Sequence, residues 1–347
     1  MLIWISRKVK LYESDCIIKF VLKIMKNILV TGGTGMIGRY LVPLLIESGN
    51  DVTVASLDGQ ELCHPKAKFT RLDLRDINNC MSVCEGIDEV YHLAGVKGSP
   101  KMCREQPADF FVPTISFSIN MMQAARRKGV KKYLFTSSVG VYHPAEIFVE
   151  DDVWQTFPSE NDKFAGWAKR MGELQAEAYQ VQFPESENQY CIVRPGNVYG
   201  RYDNFDASTG MVIPSLISRL FDGENPLKVW GDGSPIRDFI HASDVAKAMI
   251  FVMENGIDEP VNVSSGKATS IKELVETITK YFTDSKFEFT DSGVSGDNKR
   301  LMDISRLSNY GWKPETSLED GLKDTIDWYK TEGFKGFKRY NSFKEEN

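Results

Sequence analysis

The sequence has few of the residues that build metal centres or disulfide frameworks. Only 4 histidines occur among 347 residues, and no two cysteines have the Cys-x-x-Cys spacing of metal ligands. We therefore expect no metal site, and reduced thiols of the kind found in cytoplasmic proteins. The cysteines are Cys16, Cys63, Cys80, Cys84, Cys103 and Cys191.

Excess positive charge and long apolar runs are also missing. The net charge is −6, and no basic stripe with interleaved aromatic residues occurs, which argues against general nucleic-acid binding. The apolar stretch near the start is interrupted by Lys19 and Lys23 and is too short to span a membrane. We expect neither a nucleic acid nor a membrane as partner. We also expect residues 1–24 to be an extension of unknown role before a folded part that starts at Met25.

A glycine-rich turn follows the first apolar run. Residues 28–30 are long enough for a buried strand, and Gly32, Gly35 and Gly38 then recur at intervals of three. An amphipathic helix pattern comes next. Glycines in this arrangement let backbone N–H groups approach a phosphate at a helix N-terminus, which predicts dinucleotide binding; an ordinary strand–turn–helix is the alternative. The candidate residues of this turn are Gly32, Gly35, Met36, Ile37, Gly38 and Arg39.

The rest of the chain alternates short apolar runs with helical patterns; among them we predict a third strand at residues 69–74 and a helix at Val212–Phe221. This alternation predicts an α/β fold with a doubly wound parallel Rossmann sheet and a smaller C-terminal α/β substrate lobe. Further cofactor contacts are expected where strands end. The candidates are Ser56, Asp73, Leu74, Leu93 and Ala94.

Two of these positions bear on the kind of dinucleotide. Ser56 stands where an acidic residue would hold the adenosine ribose of NAD, and Arg39 could reach a 2′-phosphate, so the sequence leans toward NADP over NAD. Asp73 could hydrogen-bond the adenine amino group, or it could cap the helix that follows.

Several motifs together resemble the extended short-chain dehydrogenase/reductase family that acts on nucleotide sugars, and its GDP-L-fucose synthase subgroup in particular. The stretches are residues 107–110 (PADF), 199–205 (YGRYDNF), 211–214 (MVIP) and 230–239 (WGDGSPIRDF). The resemblance implies a dinucleotide-binding domain of residues 25–196 plus 239–263. It further implies a nucleotide-sugar-binding lobe of residues 197–238 plus 264–335, and a homodimer.

By this resemblance, Ser138 and Lys169 are the Ser and Lys of a Ser, Tyr-x-x-x-Lys catalytic set. Lys169 would also hold the ribose of the nicotinamide nucleotide. The family's Tyr, which passes a proton to or from the sugar oxygen, is replaced by Ala165. Three explanations stay open: an introduced change that traps substrate, a natural loss of turnover, or another hydroxyl such as Tyr142 or water in that role.

Two further positions depart from the resemblance. Fucose synthases exchange protons during epimerisation through a Cys two residues after the Ser and a His before the Val-Ile-Pro; Gly140 and Met211 stand there in this chain. The expected activity is therefore reduction or oxidation at a single carbon of a GDP-4-keto-6-deoxyhexose. A 4-epimerase and a non-catalytic cofactor-binding protein are the alternatives.

Binding of the substrate diphosphate needs cations and N–H donors. The resemblance suggests Lys97, Asn197, Arg219, Arg237 and Arg300, and a surface salt bridge is the alternative for each arginine.

Overall fold

A parallel β-sheet forms the centre of the molecule. The computed structural model describes residues 25–96, 104–207, 209–290, 297–333 and 339–340. Seven strands pair in parallel in the order β11-β6-β5-β4-β1-β2-β3, which is the doubly wound arrangement predicted above. They are β1 (Asn27–Thr31), β2 (Asp51–Ser56), β3 (Lys68–Arg71), β4 (Glu89–His92), β5 (Lys132–Thr136), β6 (Gln189–Pro195) and β11 (Val261–Val263).

Helices cover both faces of this sheet. Successive residues of a strand point to opposite faces, so Ile28 and Val30 enter one apolar core while Leu29 enters another. This explains why the central strands are continuous apolar runs. The helices are α1 (Gly38–Glu47), α2 (Ile77–Val83), α3 (Pro107–Arg127), α4 (Lys163–Gln182), α5 (Val212–Phe221), α6 (Ala242–Asn255), α7 (Ile271–Thr279), α8 (Ser305–Asn309) and α9 (Leu318–Thr331).

A third apolar core lies in the C-terminal part of the chain. It combines residues of α5, α7 and α9 with the parallel pair β8 (Leu227–Trp230) and β13 (Phe287–Thr290). Short strands complete this part: β7 (Asn197–Tyr199) pairs with β10 (Phe239–His241), and β9 (Ile236–Arg237) lies between β12 (Thr269–Ser270) and β14 (Lys299–Arg300). The register of β14 on β9 places Arg300 beside Arg237.

Two local predictions were wrong. The third strand ends at Arg71, so Asp73 and Leu74 lie in the loop after it. Asp76, and not Asp73, caps α2 by accepting from the backbone N–H of Asn78 at 2.8 Å, whereas Asp73 accepts from the N–H of Arg75. Residues 1–24 lie outside the described part of the chain. No helix among the described residues is long and apolar enough to cross a membrane.

Candidate active site

The glycine turn packs closely against the end of β4. Gly32 has a φ of +67°, and a Cβ there would lie 2.9 Å from the Cα of Ala94. A Cβ on Gly38 would lie 2.5 Å from the Cα of Gly33, so α1 can start only where no side chain intervenes. Both positions therefore require glycine, for backbone conformation and for space.

An open cleft of about 680 Å³ lies above this turn, at the carboxyl ends of the central strands. Ligands of open α/β sheets bind at this edge. Six predicted cofactor residues line it: Gly32, Arg39, Ser56, Asp73, Leu74 and Ala94. The other predicted cofactor residues, Gly35, Met36, Ile37, Gly38, Leu93 and Lys169, are not part of this lining. A cleft of this size, with Gly32 of the glycine turn in its lining, fits a dinucleotide.

The end of β2 carries a hydroxyl and carboxylate network. The hydroxyls of Thr34 and Ser56 are 2.8 Å apart, and Thr34 donates to Asp58 at 2.6 Å. Asp58 also accepts from the backbone N–H of Tyr340 at 2.7 Å. The Arg39 guanidinium stacks 3.7 Å above the ring of Tyr202. Sequence reasoning missed Thr34 and Tyr340. The contact between Tyr340 and Asp58 could not be predicted from local patterns, because it joins positions 282 residues apart.

The predicted Ser and Lys, Ser138 and Lys169, lie near the carboxyl end of β5 and are not part of the lining of this cleft. The Nζ of Lys169 donates to the carbonyl oxygen of Thr136 at 2.8 Å, and burial lowers the pKa of Lys169 to about 8. Ser138 follows the end of β5, and its Oγ accepts from the N–H of Gly140 at 3.1 Å. The hydroxyl of Thr136 is buried and has no hydrogen-bond partner among the described residues. Ala165, on α4, is half-buried.

Tyr142 is not the missing proton donor. Its hydroxyl donates to Oδ1 of Asn262 at 2.5 Å and accepts from Arg194 at 3.1 Å. The residue is only 3% exposed, and burial raises its pKa. The hypothesis that this hydroxyl replaces the Tyr of the catalytic set is therefore wrong, because it is committed to a buried network.

Two of the predicted phosphate ligands lie side by side. Arg300 forms ion pairs with Asp162 and, at 2.8 Å, with Asp297. Burial and the neighbouring charge of Arg300 lower the pKa of Arg237 to about 10. The register of β14 on β9 thus brings two cationic side chains near each other, one of which, Arg300, is already paired with two carboxylates.

The remaining predicted substrate residues have different surroundings. The Oδ1 of Asn197 is buried without a hydrogen-bond partner among the described residues. Arg219 forms a local ion pair with Glu224 at 2.6 Å, as the salt-bridge alternative proposed. Lys97 lies outside the described residues. Within the described ranges, no three His, Cys, Asp or Glu side chains come together so as to hold a metal ion.

The fold agrees with comparisons to known proteins. Residues 28–264 match the sequence model of the NAD dependent epimerase/dehydratase family, and the chain belongs to that family. The GDP-L-fucose synthase of Escherichia coli is 31% identical over 322 residues, covering 88% of this chain and 96% of the relative.

Other relatives act on different nucleotide sugars by name. A dTDP-4-dehydro-6-deoxy-D-allose reductase of Streptomyces is 29% identical, covering 88% of this chain and 96% of the relative. Among solved structures, the UDP-N-acetylglucosamine 4-epimerase of Methanobrevibacter ruminantium, in complex with UDP-N-acetylmuramic acid, superposes with a TM-score of 0.79 at 28% identity. That likeness covers 88% of this chain and 99% of the epimerase. Family and relatives together indicate a nucleotide-sugar epimerase or reductase that uses a nicotinamide cofactor.

Proposed function

We propose that this protein is an NAD(P)-dependent oxidoreductase that acts at one carbon of a GDP-4-keto-6-deoxyhexose. The observation that carries the proposal is that Ser138 and the Nζ of Lys169 both lie at the carboxyl end of β5. In the same chain, the register of β14 on β9 places Arg237 beside Arg300. The similarity to GDP-L-fucose synthases over most of the chain supports the choice of sugar nucleotide.

Each residue has a role that follows from its chemistry. Arg237 and Arg300 would neutralise the diphosphate, and Asn197 has an unused amide oxygen to offer a hydrogen-bond donor of the substrate. Ser138 would orient the reacting sugar oxygen. When bound, the nicotinamide ring would supply or accept hydride at the sugar carbon. The positive charge of Lys169 would hold the ribose hydroxyls beside Thr136. Arg219 and Lys97 remain further candidates for substrate binding.

Single-carbon redox chemistry suits this site better than epimerisation of the fucose-synthase kind. Inverting a carbon next to a carbonyl requires groups that remove and return a proton. Gly140 and Met211, which occupy the two positions expected to do this, carry no titratable group.

Turnover should respond to the position of the missing tyrosine. We expect Ala165→Tyr to raise the rate of NADPH oxidation with a GDP-4-keto-6-deoxyhexose at least about tenfold, because a positioned proton donor typically contributes about 10²–10⁴-fold. The measurement is the absorbance of reduced dinucleotide at saturating substrate, with Ala165→Phe as the control that adds the ring without the hydroxyl. No reaction of either the unmodified protein or the tyrosine variant with any GDP-, UDP- or dTDP-keto-sugar would contradict the proposed function.

The preference for NADP should depend on Arg39. Because its guanidinium lies in the lining of the cleft near Ser56, we expect Arg39→Ala to weaken NADPH binding about tenfold more than NADH binding. Calorimetric titration of both dinucleotides measures this. Lys68→Ala, a change of an exposed cation on the neighbouring β3, is the control. Equal losses of affinity for the two dinucleotides would show that Arg39 does not recognise the 2′-phosphate and only stacks on Tyr202.

A 4-epimerase is the second candidate. The similarity to the UDP-N-acetylglucosamine 4-epimerase, at 28% identity and a TM-score of 0.79, favours it. An epimerase that reduces and reoxidises its cofactor in place retains it, whereas a reductase must exchange it in every turnover. Mass spectrometry of small molecules released from the purified protein separates the two: stoichiometric bound dinucleotide favours the epimerase.

A further inference from the structure

The catalytic helix carries an acidic side chain one turn before Ala165. Asp162 is the N-cap of α4, and its side chain makes no capping hydrogen bond. Residues three, four and seven positions apart share one face of a helix, so Asp162, Ala165 and Lys169 lie along a single stripe. Side chains on a helix also lean toward its N-terminus. A tyrosine at position 165 would therefore extend toward the region of Asp162.

The same carboxyl group and the hydroxyl of Ser138 both lie next to Gly140. A Cβ placed on Gly140 would lie 3.5 Å from Cγ of Asp162 and 3.5 Å from Oγ of Ser138. The two functional groups therefore border one small space above the glycine. This is the position where the sequence resemblance led us to expect a titratable cysteine. The Asp162 side chain lies at contact distance from the Cβ that such a residue would carry.

Charged groups on neighbouring elements surround Asp162. Arg300 of β14 forms an ion pair with it, and Asp297 and Arg237 interact with it electrostatically. Burial raises the pKa of Asp162, Arg300 and Arg237 lower it, and Asp297 raises it. The side chain is 27% exposed, so a ligand can reach it.

We propose that Asp162 is the catalytic residue that exchanges a proton with the reacting sugar oxygen, in place of the absent tyrosine. This inference rests on the function proposed above. In the reducing direction, the carbonyl carbon would accept hydride from a reduced nicotinamide dinucleotide, which leaves oxidised, and the electron pair of the C=O π bond would move to the oxygen. That oxygen takes the proton of the Asp162 carboxyl group, giving an alcohol and an Asp162 carboxylate. Solvent returns the proton before the next turnover.

Substrate binding itself would favour protonation of the Asp162 carboxyl group. Arg300 now neutralises Asp162, and a bound diphosphate would compete for the same guanidinium. Loss of this partner, together with two added negative charges nearby, raises the pKa of Asp162 further and favours its neutral, proton-donating form. The protein should therefore take up protons when a nucleotide sugar binds.

Asp162→Asn tests the catalytic step. We expect turnover to fall about 10²–10⁴-fold, with the affinity for nucleotide sugar retained or increased, because the amide cannot donate an acidic proton and no longer competes for Arg300. Glu160→Gln is the matched control: this carboxylate lies two residues away, is 84% exposed and pairs only with Lys163 among the described residues, so turnover should not change.

The double variant Asp162→Asn with Ala165→Tyr distinguishes chemistry from folding. If the asparagine variant loses only a proton donor, then the tyrosine supplied from the next turn should restore at least about tenfold of the lost rate. A structural defect would not be rescued in this way. Restored turnover with an unchanged melting temperature supports the proposal.

Proton uptake gives a readout independent of turnover. The method is calorimetry at pH 7 in buffers of different ionisation enthalpy, and the probe is whichever of GDP-mannose and UDP-glucose binds more tightly. We expect proton uptake on binding by the unmodified protein and by Glu160→Gln, but not by Asp162→Asn. The phosphates of both probes carry no pKa near neutrality, so they contribute no protons of their own.

Three results would overturn the role of Asp162 while leaving the proposed function intact. They are unchanged turnover of Asp162→Asn, proton uptake that persists in that variant, and turnover that appears only in Ala165→Tyr. Failure of every variant to bind or convert any nucleotide sugar would instead reject the proposed function.

Discussion

Replacing Lys169 with methionine should lower turnover about 10²–10⁴-fold while leaving the protein folded. Methionine keeps the apolar stem of the side chain but removes the ammonium group that lies 2.8 Å from the carbonyl oxygen of Thr136. In the proposed function, that charge would hold the ribose hydroxyls of the dinucleotide beside Thr136. Steady-state oxidation of NADPH with the keto-sugar measures the loss, with Lys163→Met on the same helix, an exposed lysine, as the control.

The pKa of Lys169 also predicts how activity and stability change with pH. Burial lowers the pKa of Lys169 to about 8, so its charge, and the activity that needs it, should disappear as the pH rises above 8. The unfolded chain keeps the usual lysine pKa of about 10.4 and binds more protons than the folded protein between these values. The contribution of Lys169 to stability therefore rises from pH 8 to pH 10. Urea unfolding across this range should show the original protein gaining stability relative to Lys169→Met. Parallel curves for the two proteins would show that the lysine titrates normally.

Replacing Arg194 with methionine should reduce the free energy of unfolding by about 3–5 kcal/mol, the cost of leaving one charge of a buried ion pair without its partner. Arg194 and Glu173 are 1% and 2% exposed, and two hydrogen bonds of 3.0 and 2.7 Å join them. The same guanidinium donates to the hydroxyl of Tyr142 and to the carbonyl oxygen of Glu150. Its loss would therefore leave three buried acceptors without this donor: the Glu173 carboxylate, the Tyr142 hydroxyl and the Glu150 carbonyl oxygen.

Urea unfolding followed by tryptophan fluorescence measures this effect. Arg306→Met is the control, because Arg306 pairs with Asp151 and Glu259, which are 74% and 43% exposed, and partly exposed pairs contribute about 1 kcal/mol or less. The double variant Arg194→Met with Glu173→Gln should cost less than the sum of the single changes, since it removes both charges together. A loss below about 1 kcal/mol for Arg194→Met would show that water already reaches the pair.

Much of the central fold could be predicted from local patterns. The apolar run at residues 28–30 and the helix at Val212–Phe221 were confirmed, because burial on both faces and helical periodicity are recorded within a few consecutive residues. The end of β3 and the cap of α2 were predicted wrongly, since Asp73 and Asp76 are equally suitable caps by sequence and only the backbone path selects one.

The candidate site was predictable only in part. The glycine turn could be recognised from its spacing, whereas Ser138 and Lys169 were assigned by the family resemblance and stay predictions. Asp162 carries no such signal. Its proposed role depends on its position next to Gly140 and on its ion pair with Arg300, which lies 138 residues further along the chain.

The sequence by itself determined the parallel sheet, the glycine turn after β1 and the absence of a tyrosine at position 165. Spacing along the chain is enough to specify strands, turns and helix faces. The tertiary structure decided which polar groups meet. It committed Tyr142 to Asn262, placed Arg300 beside Arg237, and brought the Asp162 carboxyl group and the Ser138 hydroxyl next to Gly140. The physical reason is that hydrogen bonds and ion pairs depend on distances of a few ångströms between residues far apart in the chain, which no local periodicity records.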